Sequence, residues 1–174
     1  MKQLISSLTA VLFVLAPAFS FAQSGAPNDA QIAAIVVAAN SVDVDAGKLA
    51  VSKSNNKEVK AFAQRMITDH TGVNKQATAL VKKLNVMPEE SDTSKSLKRD
   101  GAATLKKLNG LKGEEFDKAY VENEVTYHQA VLDVIDKTLL PNAKNAELKV
   151  LIEKVRPAID AHLQHAKHIQ SSMK

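Results

Sequence analysis

The sequence has no cysteine and no tryptophan, and only six glycines and five prolines among 174 residues. The lack of cysteine excludes a disulfide framework, a thiolate nucleophile and cysteine-ligated metal clusters, so packing must hold the chain together. Aromatic residues make up 4% of the chain. They do not interleave with basic clusters, which argues against a base-stacking nucleic-acid surface. A strong excess of one charge is also missing. Lysine and arginine total 23 against 19 acidic residues, a net of +4, with the two signs interspersed. Such charges read as solvated helix faces, leaving only a weak attraction to an anionic envelope surface. No glycine-rich phosphate loop and no defensible Ser-His-Asp set is present.

Long apolar runs are absent except at the start. The stretch MKQLISSLTAVLFVLAPAFSFA carries one lysine, an apolar run over residues 8–16, and small residues three and one before a cut after Ala22. This is the pattern of a cleavable signal peptide. The run is well short of the roughly 20 residues that a permanent membrane helix needs. No cysteine stands at the cut, so lipid attachment there is excluded. Residues 1–22 are therefore expected to be a signal peptide and residues 23–174 one domain. Cleavage would leave 152 of the 174 residues and, with Lys2 gone, lower the net charge from +4 to +3. The expected location is periplasmic or otherwise secreted, with no stable membrane insertion after cleavage.

What remains is helical periodicity. A first helix opens at Asn28-Asp29 and repeats apolar residues at Ile32, Ile35, Val36, Ala39, Val42, Ala46, Leu49 and Ala50 before ending near Ser54. Asn55 reads as the next N-cap, with Glu58 completing a capping box. The second helix carries Val59, Phe62, Met66, Ile67, Val73, Leu80 and Leu84, and stops at Asn85 and Pro88. A polar connector follows, holding a short helix with Leu97, Ala103, Leu105 and Leu108 that Gly101 should weaken. The third helix starts near Glu114 and stops before Pro141. Asn142 is the expected cap of the fourth, whose stripe runs from Leu148 to Ile169 with Pro157 inside it, where a kink is expected. No segment alternates as a strand does. The reading is all-α: two antiparallel hairpins joined by a long crossover, forming a four-helix bundle.

Polar residues interrupt these stripes. At 100° per residue, Asp43, His70, Glu124, His128 and His162 fall on or beside the inward face of their helices, and all four helices contribute. His165 lies at the border and His168 points to solvent. FAQRMITDH and AYVENEVTYH align without gaps, placing His70 opposite His128 and Phe62 opposite Tyr120. Counted from the hairpin turns, Asp43 and His70 differ in height by roughly 6 Å, close enough for side chains to bridge. Groups like these need partners when buried. They could form a hydrogen-bonded layer that fixes the fold, a site for a transition ion such as iron, manganese or zinc, or a small-ligand pocket. Asp69 reads as a solvated acid or as a group orienting the His70 ring. No Glu-x-x-His motif occurs, which counts against oxygen-activating di-iron chemistry and ferroxidase activity.

The stretch DVDAGKLAVSKSNNKEVKAFAQRMITDHTGVN, continued by FDKAYVENEVTYHQAV and RPAIDAHLQHAKHI, resembles the signature of an exported bacterial family known as domain of unknown function 4142. The resemblance covers nearly all of the chain after the signal and implies a ferritin-like bundle. It implies that the family's Asp-His pair falls on Asp69-His70, its later histidine on His162, and its acidic position before the first-helix glycine on Asp43. The corresponding pair on the third helix falls on Tyr127-His128, where the acid is replaced. The resemblance implies fold and compartment, and no reaction. The residues favour a non-enzyme: a binding or structural protein of the cell envelope. The alternative is a redox- or storage-related metal protein using Asp43, His70, Glu124, His128 and His162.

The signal reading has a direct check. N-terminal sequencing of the chain recovered from an expressing cell's envelope should begin at Gln23; a chain retaining residues 1–22 contradicts it.

Overall fold

The computed structural model describes residues 25–173, so the expected signal peptide at residues 1–22 lies outside the described residues. The described residues are helical with no strand. The elements are α1 (Asp29–Lys53), α2 (Lys57–Lys83), α3 (Asp92–Gly110), α4 (Gly113–Val134), a π-helical segment (Ile135–Leu139), the single turn α5 (Leu140–Asn142) and α6 (Ala146–Ser172).

Side-chain chemistry sets each boundary. Asn28 opens α1: its side chain accepts from the Gln31 N–H while the Gln31 side chain accepts from the Asn28 N–H. The cap of α2 is Asn56 rather than Asn55, because the Asn56 carboxamide oxygen reaches the N–H groups of both Glu58 and Val59. The connector helix is long, not short. Ser91 and Ser94 cap its start reciprocally. Leu97, Gly101 and Leu108 then give it a buried face. Helical structure also continues past the expected stop before Pro141, through the π segment and into α5, where Pro141 sits in the first turn. Asn142 therefore does not cap the last helix. Its side chain donates back to the Thr138 carbonyl, and Asn145 caps α6 instead by accepting from Glu147 and Leu148. α6 runs on through Pro157, which lies on its exposed side.

Packing follows the hairpins. α1 lies chiefly against α2, and α4 against α6; α2 also meets α6, and α1 meets α4. The crossover helix α3 covers α1 and touches α4. This explains why α1 is apolar or small around most of its circumference: neighbours flank it on several sides. The buried apolar residues form two clusters. One contains Ile32, Ile35, Leu132, Ile135, Leu148 and Ile159. The other contains Ala50, Phe62, Met66, Phe116, Tyr120 and Ile169. Burying one such large side chain stabilises by about 1.5–3 kcal/mol, whereas an exposed ion pair contributes about 0–1 kcal/mol. The two clusters, not the outer charges, hold the helices together. On α1, α2 and α4 the polar residues Asp43, His70 and Glu124 lie between them. No helix among the described residues is long and apolar enough to cross a membrane.

Gly101 is a packing residue. A Cβ there would sit 2.7 Å from a methyl of Val42 on α1, and the branched valine has little freedom to yield. Gly72, within α2, has nothing within 4 Å of the same position. Opposite effects are expected in chemical denaturation. Gly101→Ala should cost about 1–3 kcal/mol through overpacking, and Gly72→Ala should stabilise by about 0.4–1 kcal/mol. Two changes of the same sign contradict this account of α3.

Candidate functional site

The five inward residues meet. Asp43, Glu124, His128 and His162 are each 1% exposed and His70 is 4% exposed. Asp43 is the hub: its Oδ2 lies 2.9 Å from His70 Nε2 and 3.3 Å from His128 Nε2. A Glu124 carboxylate oxygen lies 3.6 Å from His128 Nδ1. The three imidazoles form a nearly equilateral triangle, with ring centres 5.7, 5.2 and 5.5 Å apart. His70 and His128, the matched positions of the two hairpins, thus face each other across the middle of the molecule. One donor atom from each of His70, His128 and His162 lies within 4.8 Å of the others, and the same holds for Asp43, Glu124 and His128.

The outer hydrogen bond of each ring fixes which nitrogen carries the proton. The Asn40 side-chain NH2 donates to the Val36 carbonyl at 2.7 Å, which turns its oxygen toward His70 Nδ1, also at 2.7 Å. His70 Nδ1 must therefore be the donor. His128 Nδ1 faces the main-chain carbonyl of Glu124 at 2.9 Å and must donate as well. His162 Nε2 lies 2.9 Å from the Asp69 carboxylate and donates to it. With the proton on its outer nitrogen, the neutral form of each ring turns a lone pair inward, from His70 Nε2, His128 Nε2 and His162 Nδ1. These three nitrogens and all four carboxylate oxygens of Asp43 and Glu124 are buried without a hydrogen-bond partner. The 2.9 Å approach of His70 Nε2 to Asp43 sets two acceptors against each other unless a proton or another cation lies there.

The electrostatics match this geometry. Burial pushes the Glu124 carboxyl well above the usual carboxylate range, and the adjacent Asp43 charge adds to it. Burial would also raise Asp43, but the neighbouring His70 and His128 more than offset that and hold it below the ordinary range. Burial lowers His128, aided by His70 and opposed by Asp43. Burial pushes His162 down to about 4 against the pull of Asp69. The metal-free layer therefore favours an ionised Asp43, neutral rings at His128 and His162, and a Glu124 carboxyl that keeps its proton beyond the ordinary carboxylate range. That proton is one a cation can displace.

Two participants differ from the sequence reading. Asp69 is not a purely solvated acid, nor does it orient His70. Successive residues on a helix point about 100° apart, so Asp69 faces away from the ring next to it and reaches His162 on α6. Arg65, one turn earlier, holds the same Asp69 carboxylate oxygen at 3.3 Å. Asn40, which orients His70, carries little signal in the sequence beyond being a polar residue three before Asp43 on a buried face.

A family model described as "Domain of unknown function (DUF4142)" matches residues 15–169. No curated protein and no solved structure matches the chain.

The Glu124 shift has a readable sign. Its folded value lies above its ordinary one near 4.5, so its contribution to stability is full below that pH and is lost as the pH rises toward the folded value. Glu124→Gln removes this dependence. In metal-free protein, the melting temperature of the variant minus that of the parent should grow between about pH 5 and pH 8. A constant or shrinking difference contradicts the assignment.

Proposed function

Since the chain belongs to the DUF4142 family, whose description names no activity, we propose its function from the site itself: it binds one divalent transition ion inside the helical assembly. The observation that carries this reading is the crowding of seven buried nitrogen and oxygen atoms, from Asp43, His70, Glu124, His128 and His162, that lack an aligned hydrogen-bond partner. A polar layer that served packing alone would pair donors with acceptors. Here the three rings turn their protons outward, to Asn40, the Glu124 carbonyl and Asp69, and their other nitrogens toward the two carboxyl groups. Outward donation of this kind is how metal-ligating histidines are oriented.

The donor set is three imidazoles with two carboxylates, which suits zinc, iron or manganese. With Glu124 deprotonated, the two carboxylates carry a charge of minus two and balance a divalent ion. The two possible triads share His128, which favours one ion over two. The absence of Glu-x-x-His keeps the site apart from the di-iron pattern. Binding, storage or transfer of an ion therefore fits better than an oxygen-activating di-iron reaction.

We further propose that the packing order α1–α2–α6–α4, with its long crossover through α3, is that of a ferritin-like four-helix bundle. It is supported by the pairing of the helices and by the two His-bearing counterparts, α2 and α4, meeting at the centre. The proposed location is the periplasm, supported by the signal-like residues 1–22.

Elemental analysis of untagged, purified protein tests the metal reading. About one ion per chain is expected, and the double variant His70→Ala, His128→Ala should lose it. Adding the ion at one hundred times its dissociation constant should stabilise the metal-free chain by about 2.7 kcal/mol, a rise of roughly 5–10 °C in melting temperature. A metal-free chain whose melting ignores zinc, iron and manganese contradicts it.

A further inference from the structure

Beside the polar layer lies a cavity of about 50 Å³. Its walls include Val36 of α1, Val131 of α4, Ile135 of the π segment, and Ile152 and Val155 of α6. At one end it reaches Asp43, His70 and His128. A backbone irregularity and a helical proline border it. The π segment supplies Ile135 and Leu139, and Pro157 of α6 lies between the lining residues Val155 and Ile159. Arg156 ties these walls together through two bonds of 2.7 Å to Asp136. π turns within α-helices occur frequently at functional sites.

Size and polarity narrow the occupant. The volume is about a third of the roughly 150 Å³ that accommodates benzene in an apolar cavity, so acyl chains and aromatic rings do not fit. A water needs about two to four polar partners, which only the inner end at Asp43, His70 and His128 provides and the aliphatic stretch does not. A charged molecule would lose its hydration along that aliphatic stretch with nothing in return. What fits is a neutral molecule of two heavy atoms.

We propose that this cavity holds a small uncharged diatomic molecule, of the size and polarity of dioxygen, and presents it to the ion bound by Asp43, His70 and His128. The proposal rests on the metal reading above and adds the class of ligand that reaches the ion. The cavity opens onto the ligands themselves, so a molecule at its inner end lies beside the ion. Only binding is assigned, with no electron transfer.

Xenon and nitric oxide probe the two halves separately. Crystals of the chain, metal-free and ferrous-loaded, are placed under xenon pressure; a xenon peak in this cavity is expected in both. Ferrous-loaded protein is then mixed with nitric oxide, and the iron-nitrosyl signal is followed. The variant Val131→Leu, Val155→Leu, which fills the cavity from residues outside the ligand set, should exclude xenon. It should slow nitrosyl formation at least tenfold with iron content per chain unchanged. Val150→Leu, at a position 60% exposed, should change neither. Iron bound but xenon excluded from the parent cavity, or a nitrosyl rate unchanged in the filled variant, overturns the cavity proposal alone. Xenon bound in a chain that takes up no iron overturns the metal reading and the presentation step with it.

Discussion

Everything in this protein is arranged around a set of lone pairs that face one another in the dry interior. The carboxyl oxygens of Asp43 and Glu124 and the inward nitrogens of His70, His128 and His162 lie together, buried, with acceptors outnumbering donors. Like partial charges brought together away from water cost free energy. The metal-free chain can offset that cost only with protons, chiefly the one that burial and Asp43 keep on Glu124. A divalent cation offsets it more completely, because it meets several lone pairs at once and cancels both carboxylates.

The helices can be understood as the frame that tolerates this centre. One apolar cluster packs on each side of the layer, so the stabilisation of the fold is collected away from the acceptors. The outer partners then fix orientation. Asn40 is itself held by the Val36 carbonyl before it holds His70, and Asp69 is shared between Arg65 and His162. The ring of His128 is held by its own helix, through the Glu124 carbonyl. Each imidazole is thus locked by a different device, and all three aim the same way.

Much of this was legible in the sequence because helical periodicity is a strong signal. The inward placement of Asp43, His70, Glu124, His128 and His162 follows from counting 100° steps against long apolar stripes, and heights counted from the hairpin turns allow them one shared layer. Boundaries were less legible. Neighbouring asparagines at 55 and 56 are equivalent until backbone direction chooses one, and Pro141 reads as a stop although it can open a final turn. The length of α3 was hidden because its buried face is sparse: Gly101 contributes by lacking a side chain where Val42 approaches. The roles of Asn40 and Asp69 were not legible either, since which ring a polar group reaches depends on how neighbouring helices are placed.

The central claim is that three inward imidazole nitrogens are unprotonated and available. Nitrogen-15 NMR of the imidazoles in metal-free protein near neutral pH tests it most directly. The account predicts protons on Nδ1 of His70 and His128 and on Nε2 of His162, with the opposite nitrogen of each ring shifting when zinc is added. Protons on the inward nitrogens, or spectra that zinc leaves unchanged, would contradict it.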